Sequence, residues 1–467
     1  MIESAYDNVL ERPLTGTAEV REALAAGVRR VLAGVNGHAE RRIARVVVPL
    51  AHANPFAWLR AQPDATKLYW SGRGDAGQVA AAGVADRCRA DVPADFEGLR
   101  RYLAPLLRAC DPGVRYYGGM RFDPAAAPSE PWEVFGAFLF VLPRFELGVR
   151  EGGPATLACN LVLPRDARHP AEVLRAIEHL RFPVNGMHRT LPMPVSRADR
   201  PGPDGWNGAI EWALDAFATT PLDKVVFARE AAFGFSEDLD ALALLETLRA
   251  ATPACFHFCI QPAPGTAFIG ASPERLFRRQ GRRIETEAVA GTRPRGASHE
   301  DDARLLEELL KSDKDRREHE YVRVSLREGL ARLAEDVRLD DPAEMKLASG
   351  RHLVSRARAE LRAGVTSLDV LAALHPTPAV GGYPARAALD AIRRHEPFDR
   401  GWYAGPVGWI GPDAAEFAVA IRSGLVGPRR LALYSGAGIV EGSVPESEWD
   451  EIECKISDFT KILGKSQ

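Results

Sequence analysis

The chain has 467 residues, 46% of them hydrophobic and 26% charged, which is ordinary for a globular protein able to bury a substantial core. A formal net charge of −3 argues against a nucleic-acid partner, which leaves a basic footprint, and no aromatic platform accompanies the Arg-rich run 275–283. The N-terminal MIESAYDNVLERPL has no basic segment followed by an apolar one, and the longest apolar run, Phe135–Leu142, falls well short of the ~20 residues that span a bilayer. A cytoplasmic protein with no leader and no membrane contact is expected. The six cysteines are scattered, and the close pair Cys255 and Cys259 sits too far apart along a strand to bridge, so reduced thiols are expected.

In chain order, strand-like runs occur at Arg45–Leu50, Tyr116–Phe122 and Val134–Leu142, with a helix-like run at Phe96–Ala109. Pro192–Gly208, rich in Pro, Gly and Asp, reads as a linker. The stretch starting at Lys224 alternates as a strand. Phe256–Gln261 with Ala267–Ala271, and Arg275–Arg278 with Arg283–Ala288, read as two hairpins around Pro/Gly and Gln-Gly turns. One long helix is expected next, capped by Ser298 with Asp301 three residues on, its stripe beginning with Leu305, Leu306, Leu309 and Leu310. Gly401–Ile410, Ala415–Leu425 and Arg430–Leu433 read as successive antiparallel strands. A last helix starts near Pro445, with Trp449, Ile452, Ile456, Phe459 and Leu463 on one face. Runs of strands separated by long helices, without βαβ alternation, point to an α+β fold with large antiparallel sheets. No G-x-G-x-x-G follows a strand, which argues against a dinucleotide site.

Seven residues stand out for their chemistry. In the last helix Glu448, Glu451 and Lys455 fall at i, i+3 and i+7 and share one side. On an isolated helix the Glu451–Lys455 pair is an ordinary surface contact worth a few tenths of a kcal/mol. In a cleft the same residues supply oxygen ligands for Mg²⁺, which needs only one or two protein carboxylates, and a cation for a substrate carboxylate. Asp315 and Glu318 offer a matching acidic face on the preceding long helix. Lys224, on one strand face with Val226 and Ala228, becomes a candidate general base if buried, and Glu274 at a strand end is a candidate acid for a leaving hydroxyl. Gly436-Ala437-Gly438 and the HPTPAVGG loop at residues 375–382 could each shape a pocket, or be plain turns.

Between Asp223 and Leu463 the motifs KVVFAR, GASPERLF, AVAGTRPRG, KDRREHEYV, LHPTPAVGGYP, RGWYAGPVGWIG, FAVAIRSGL, YSGAGIV and EWDEIECK occur in one order. In these the chain resembles the chorismate-utilising enzymes, the family of isochorismate, salicylate, anthranilate and aminodeoxychorismate synthases. KLYWSGRGD and YYGGMRFDP extend the resemblance, less sharply, toward isochorismate synthases of the menaquinone type. The resemblance implies the chorismate-binding fold of anthranilate synthase component I, two antiparallel sheets packed face to face with helices outside. It implies one domain over 1–467, with 1–205 as the N-terminal part of the scaffold and 206–465 as the chorismate-binding catalytic region. It also implies Mg²⁺ on Glu318 and Glu451, assisted by Asp315 and Glu448 directly or through water. Lys455 and the backbone at Gly438 would support the ring carboxylate, Arg422 and Tyr403 would contact the enolpyruvyl carboxylate, and Thr292 and His375 would line the ring pocket.

Two positions separate the branches of this family. Ammonia-using members generally carry a glutamine-like residue where this chain has Lys224, and some aminodeoxychorismate synthases carry a nucleophilic lysine where it has Ala290. Both choices point to water as the attacking group and to no glutaminase subunit. The expected reaction adds water at C2 of chorismate, with Lys224 as base, and expels the C4 hydroxyl, with Glu274 as acid. The alternatives are salicylate formation, in which pyruvate elimination follows, and an isochorismate synthase that serves a catechol siderophore.

Overall fold

The computed structural model describes residues 13–464 apart from 36–39, 75–76, 92–95, 151, 184–189 and 348–349. Residues 1–12, which carry most of the leader expectation, and Asp75 of KLYWSGRGD lie outside the described residues. Two sheets dominate, one of 12 strands and one of 10 among the described residues. The strands pair antiparallel throughout, for example Arg42–Leu50 with Ala155–Leu163, Lys224–Phe235 with Arg430–Ile439, and Arg283–Pro294 with Gly350–Leu361. Strands from before residue 205 enter both sheets. Lys67–Ser71 pairs with Phe256–Ala263 in the larger one, and Tyr116–Met120 pairs with Pro406–Ile410 in the smaller.

The inner faces meet in one apolar core. Phe258, Phe268 and Tyr434 from the larger sheet join Phe140, Phe277 and Phe417 from the smaller. Trp132 and Phe135 fill the seam against Phe268, with ring centroids 5.1 and 6.4 Å away. A second core lies on the outer face of the larger sheet, under the helices Thr17–Ala33 and Ala241–Ala251 and the last helix, Pro445–Leu463. The last helix serves both cores: Ile452 reaches the first, and Ile456, Phe459 and Leu463 reach the second. No helix among the described residues is long and apolar enough to cross a membrane. No disulfide joins cysteines among the described residues.

Four local expectations give way to packing. The linker-like segment instead forms an edge strand, Pro194–Arg200, paired to Lys224–Phe235, and then a helix opening at Pro203. Its Pro and Gly residues mark the strand end and the first turn of that helix, where Pro costs no hydrogen bond. The long helix is two, His299–Lys311 and Asp313–Ala331, because Ser312 adopts an extended conformation and caps the second by accepting from Asp315 N–H. Within Val134–Leu142 only Phe138–Leu142 is a strand, a 3-10 turn over Glu133–Phe135 coming first.

The fourth difference builds the site. Ala415–Leu425 is not one strand: Ala414–Val419 belongs to the smaller sheet and Ser423–Gly427 to the larger. Arg422 lies at this crossing with φ +49°, a left-handed conformation that is uncommon outside glycine and marks a constrained backbone. The two hairpins cross in the same way. Thr266–Ser272 is in the larger sheet and Arg275–Gln280 in the smaller, with Pro273 and Glu274 between them. The crossings are tied side by side: Val419 N–H donates to Glu274 O at 3.1 Å, and Ala271 N–H to Arg422 O at 3.0 Å. The Ser272 hydroxyl donates to Val419 O at 2.6 Å. Glu274 and Arg422, 148 positions apart, are thereby held in neighbouring corners.

Candidate active site

A cleft opens at these corners, enclosing about 640 Å³ of free space with its mouth included. Its wall includes Glu274, Ala290, Thr292, Glu318, Tyr403, Arg422, Gly438, Glu451 and Lys455, most of the residues singled out from the sequence. Lys224 completes the set, fully buried at the start of its strand, with Nζ 3.1 Å from Glu318 Oε1. That ammonium makes no hydrogen bond of good geometry among the described residues.

Room for this contact comes from Gly438, opposite Val226 in the paired strand. A Cβ on Gly438 would lie 2.2 Å from Glu318 Oε1 and 3.3 Å from Lys224 Cε. The Gly-Ala-Gly segment is therefore not a turn; it is the end of the strand Arg430–Ile439, kept bare so that a helix carboxylate can approach. Gly382 plays a similar part in the HPTPAVGG loop. It has φ +135°, and a Cβ there would meet Lys224 O at 2.2 Å. Since the atom in the way at Gly438 is the end of a flexible side chain, Gly438→Ala should fold. It should displace the Glu318 carboxylate and cost turnover about a hundredfold, as an ångström-scale misplacement does. Steady-state kinetics beside a melting curve checks this.

Acids and lysines alternate around the cleft. Lys455 Nζ lies 2.6 Å from Glu451 Oε1 and donates to Gly436 O at 2.8 Å. Burial raises the Glu451 pKa, but the Lys455 and Lys314 ammoniums outweigh it and hold this carboxyl below its ordinary range. Glu448 does not line the cleft; it is buried behind it and paired with Lys314 at 2.5 Å. Burial and the like charge of Glu451 push its pKa up. Asp315 is also set back, its carboxylate forked onto Arg293 at 2.6 and 3.2 Å. The structure therefore brings Glu318 and Glu451 to the cleft wall and leaves Asp315 and Glu448 one layer behind.

Glu274 stands apart from this charged belt. Buried, and facing the carboxylate of Glu287, it has its pKa pushed up to about 8 against the opposing pull of Lys224, Lys455 and Arg73. At neutral pH it therefore carries a proton, as an acid catalyst must. Arg422 donates from Nη1 to Lys455 O at 3.0 Å and to Asp458 Oδ2 at 3.1 Å, so the last helix aims its guanidinium. The Tyr403 ring stacks on Tyr434 at 5.6 Å.

His375 differs from its expected place. It follows the helix Ser367–Leu374, and its Nε2 lies 2.9 Å from Phe122 O, which anchors the loop from behind. The histidine that lines the cleft is His352, on the strand Gly350–Leu361. Its Nδ1 lies 3.1 Å from Thr292 Oγ1 and 3.2 Å from Gly291 O. A carbonyl can only accept, so this geometry assigns the ring proton to Nδ1 and leaves Nε2 as a bare acceptor. Burial, with the charges of Arg422 and Lys455 nearby, lowers its pKa to about 3 and keeps the ring neutral. The sequence reading missed His352, which sits in a strand run of arginines and apolar residues mixed and carries no motif that sets it apart.

A family model described as chorismate binding enzyme matches residues 30–464, nearly the whole chain. The chain belongs to that family. It is 38% identical over 380 residues to isochorismate synthase 2, chloroplastic, of Arabidopsis thaliana, covering 79% of this chain and 67% of that one. It is 31% identical over 430 residues to isochorismate synthase MenF of Escherichia coli, covering 90% and 94%. The solved structure of MenF, the menaquinone-specific isochorismate synthase from Escherichia coli, superposes with a TM-score of 0.82 at 28% identity over 96% of this chain and 100% of that one. The chorismate-binding fold, two antiparallel sheets with helices outside, is thus the fold of this chain.

Among the described residues no three His, Cys, Asp or Glu side chains are assembled to hold a metal by themselves. The donor set does fit a hard cation. Glu318 and Glu451 come from two helices, and Mg²⁺ takes one or two carboxylates and completes its shell with water and ligand oxygens. The space cleared at Gly438, which a Cβ would fill against Glu318, fits the same reading.

Proposed function

We propose that this protein is an isochorismate synthase acting on chorismate. The observation that carries the reading is a buried lysine set against Glu318 of the cleft wall, on which a carboxyl group is also held protonated near pH 7. Lys224 in its neutral form takes a proton from water as the water oxygen bonds to C2. The ring double bonds shift, the C4–oxygen bond breaks, and Glu274 gives its proton to the departing hydroxide. One water enters and one leaves, so the net change is an isomerisation. Glu318 and Glu451 would hold Mg²⁺, with Glu448 and Asp315 as the supporting acids; when bound, the ion supplies positive charge for the ring carboxylate. Lys455 and the Gly438 backbone face the same carboxylate, while Arg422 and Tyr403 take the enolpyruvyl carboxylate. Thr292 and His352 offer polar contacts to the ring hydroxyl.

Ala290 lines the cleft with a methyl group, so no nucleophile stands there to add covalently. The similarity along nearly the full length of the menaquinone-specific enzyme supports a role in menaquinone formation, and a cytoplasmic enzyme working without a glutaminase subunit fits it. The test is product analysis by NMR after incubation with chorismate and Mg²⁺, with ammonium in excess. Isochorismate is expected, with little pyruvate and no fluorescent salicylate near neutral pH. Stoichiometric pyruvate with salicylate would make it a salicylate synthase, and anthranilate would show that ammonia, not water, is the nucleophile.

A further inference from the structure

The peptide groups on either side of Glu274 are held by two side chains that the chemistry above does not use. Arg73 donates from Nη1 to the Pro273 carbonyl at 2.6 Å, the oxygen of the peptide entering Glu274. Its guanidinium also forks onto Glu287, with bonds of 2.7 and 2.8 Å. Glu287 Oε1 in turn accepts from Arg275 N–H at 2.9 Å, the peptide leaving Glu274. Glu287 is buried in the strand Arg283–Pro294, and Arg73 comes from KLYWSGRGD, after the strand Lys67–Ser71. Removing such a pair from water offsets much of its attraction, so stability alone is a weak reason to keep it. Its placement around a single residue is a stronger one.

The geometry points to Arg73 and Glu287 as positioning residues for Glu274, fixing both of its peptide groups so that its carboxyl stays aimed into the cleft. This rests on the reading of Glu274 as proton donor. Glu287 also acts through its charge. The groups facing the Glu274 carboxyl are Glu287, which favours its protonated form, and Lys224, Lys455 and Arg73, which oppose it; Tyr403 lies within the same field. Replacing the Glu287 charge by an amide of equal shape keeps an acceptor for Arg275 N–H and removes the repulsion, so Glu274 should lose its proton at lower pH.

The experiment is the pH profile of kcat at saturating chorismate and Mg²⁺ for wild type, Glu274→Gln, Glu287→Gln and Arg73→Met. Glu287→Gln should move the alkaline limb down by about half a unit or more, with KM within about threefold. Arg73→Met, which frees the Pro273 carbonyl, should lower kcat about tenfold at similar KM. An alkaline limb unmoved in Glu287→Gln overturns the proposal, even if activity or melting temperature falls. Glu274→Gln separates the two readings. If it retains the limb, the proton-donor reading fails. If it abolishes the limb while Glu287→Gln leaves it in place, only the positioning proposal fails.

Discussion

Lys224→Ala and Glu274→Gln are expected to lower kcat by at least about two orders of magnitude each, the usual scale for a missing general base or acid. Both should remain folded. Lys224 sits at the start of its strand with its ammonium beside Glu318 of the cleft wall, so truncation removes that contact without breaking a ladder; Glu274 keeps its shape as an amide. The pH dependence carries a definite sign. In the proposed mechanism Glu274 works in its protonated form, and its pKa is pushed up to about 8, far above an ordinary carboxyl. Wild-type kcat should therefore hold through neutral pH and fall as pH rises through about 8. In Glu274→Gln the residual rate should lack that fall, because no proton is left to lose. A Lys224→Ala variant with near-wild-type kcat would mean that another group activates water.

Removal of divalent metal should abolish turnover, and Mg²⁺ should restore it. Glu318 and Glu451 face a cleft meant for a substrate carrying two carboxylates, and like charges repel unless a cation stands between them. In the structure lysines perform that neutralisation: Lys224 beside Glu318, and Lys455 beside Glu451. In the proposed mechanism the same two lysines are needed elsewhere during turnover, one on water and one on the substrate carboxylate. A divalent ion on the glutamates would release them for those tasks. Glu318→Gln and Glu451→Gln should each lose at least about a hundredfold in kcat/KM and need more Mg²⁺ for half-maximal rate. Calorimetric titration of Mg²⁺ checks the binding separately from the rate. Full activity in excess chelator would remove the metal from the mechanism.

Most of this site was legible in the chain because its residues sit in long local motifs whose types announce their chemistry. Lys224, Glu274, Glu318, Arg422, Glu451 and Lys455 come from five separate segments and reach one cleft or its wall. Helix periodicity placed Glu451 and Lys455 on one side of the last helix, and alternation placed Lys224 and Val226 on one face of a strand. These are short-range properties, set by 3.6 and 2 residues per repeat, and the antiparallel α+β class follows from counting such segments.

What the sequence could not decide is where each strand goes next. The run from Ala415 to Leu425 has continuous strand character, yet it changes sheets at Ala420–Arg422, because its two ends pack against partners more than a hundred residues away in sequence. The same crossing at Pro273–Glu274 turns an apparent surface carboxylate into a buried acid, and burial beside Glu287 is what raises its pKa. His375 and His352 show the same division. Motif position favoured the first, but only the folded sheets show that it anchors a loop from behind while His352 reaches the cleft. Asp315 and Glu448 have the right helical spacing, and their salt partners Arg293 and Lys314 settle that they stand behind the wall. Residue types and local periods were therefore determined by the sequence alone. Burial, ion pairing and proton occupancy were decided by tertiary structure, since each depends on the field and desolvation from groups distant in the chain.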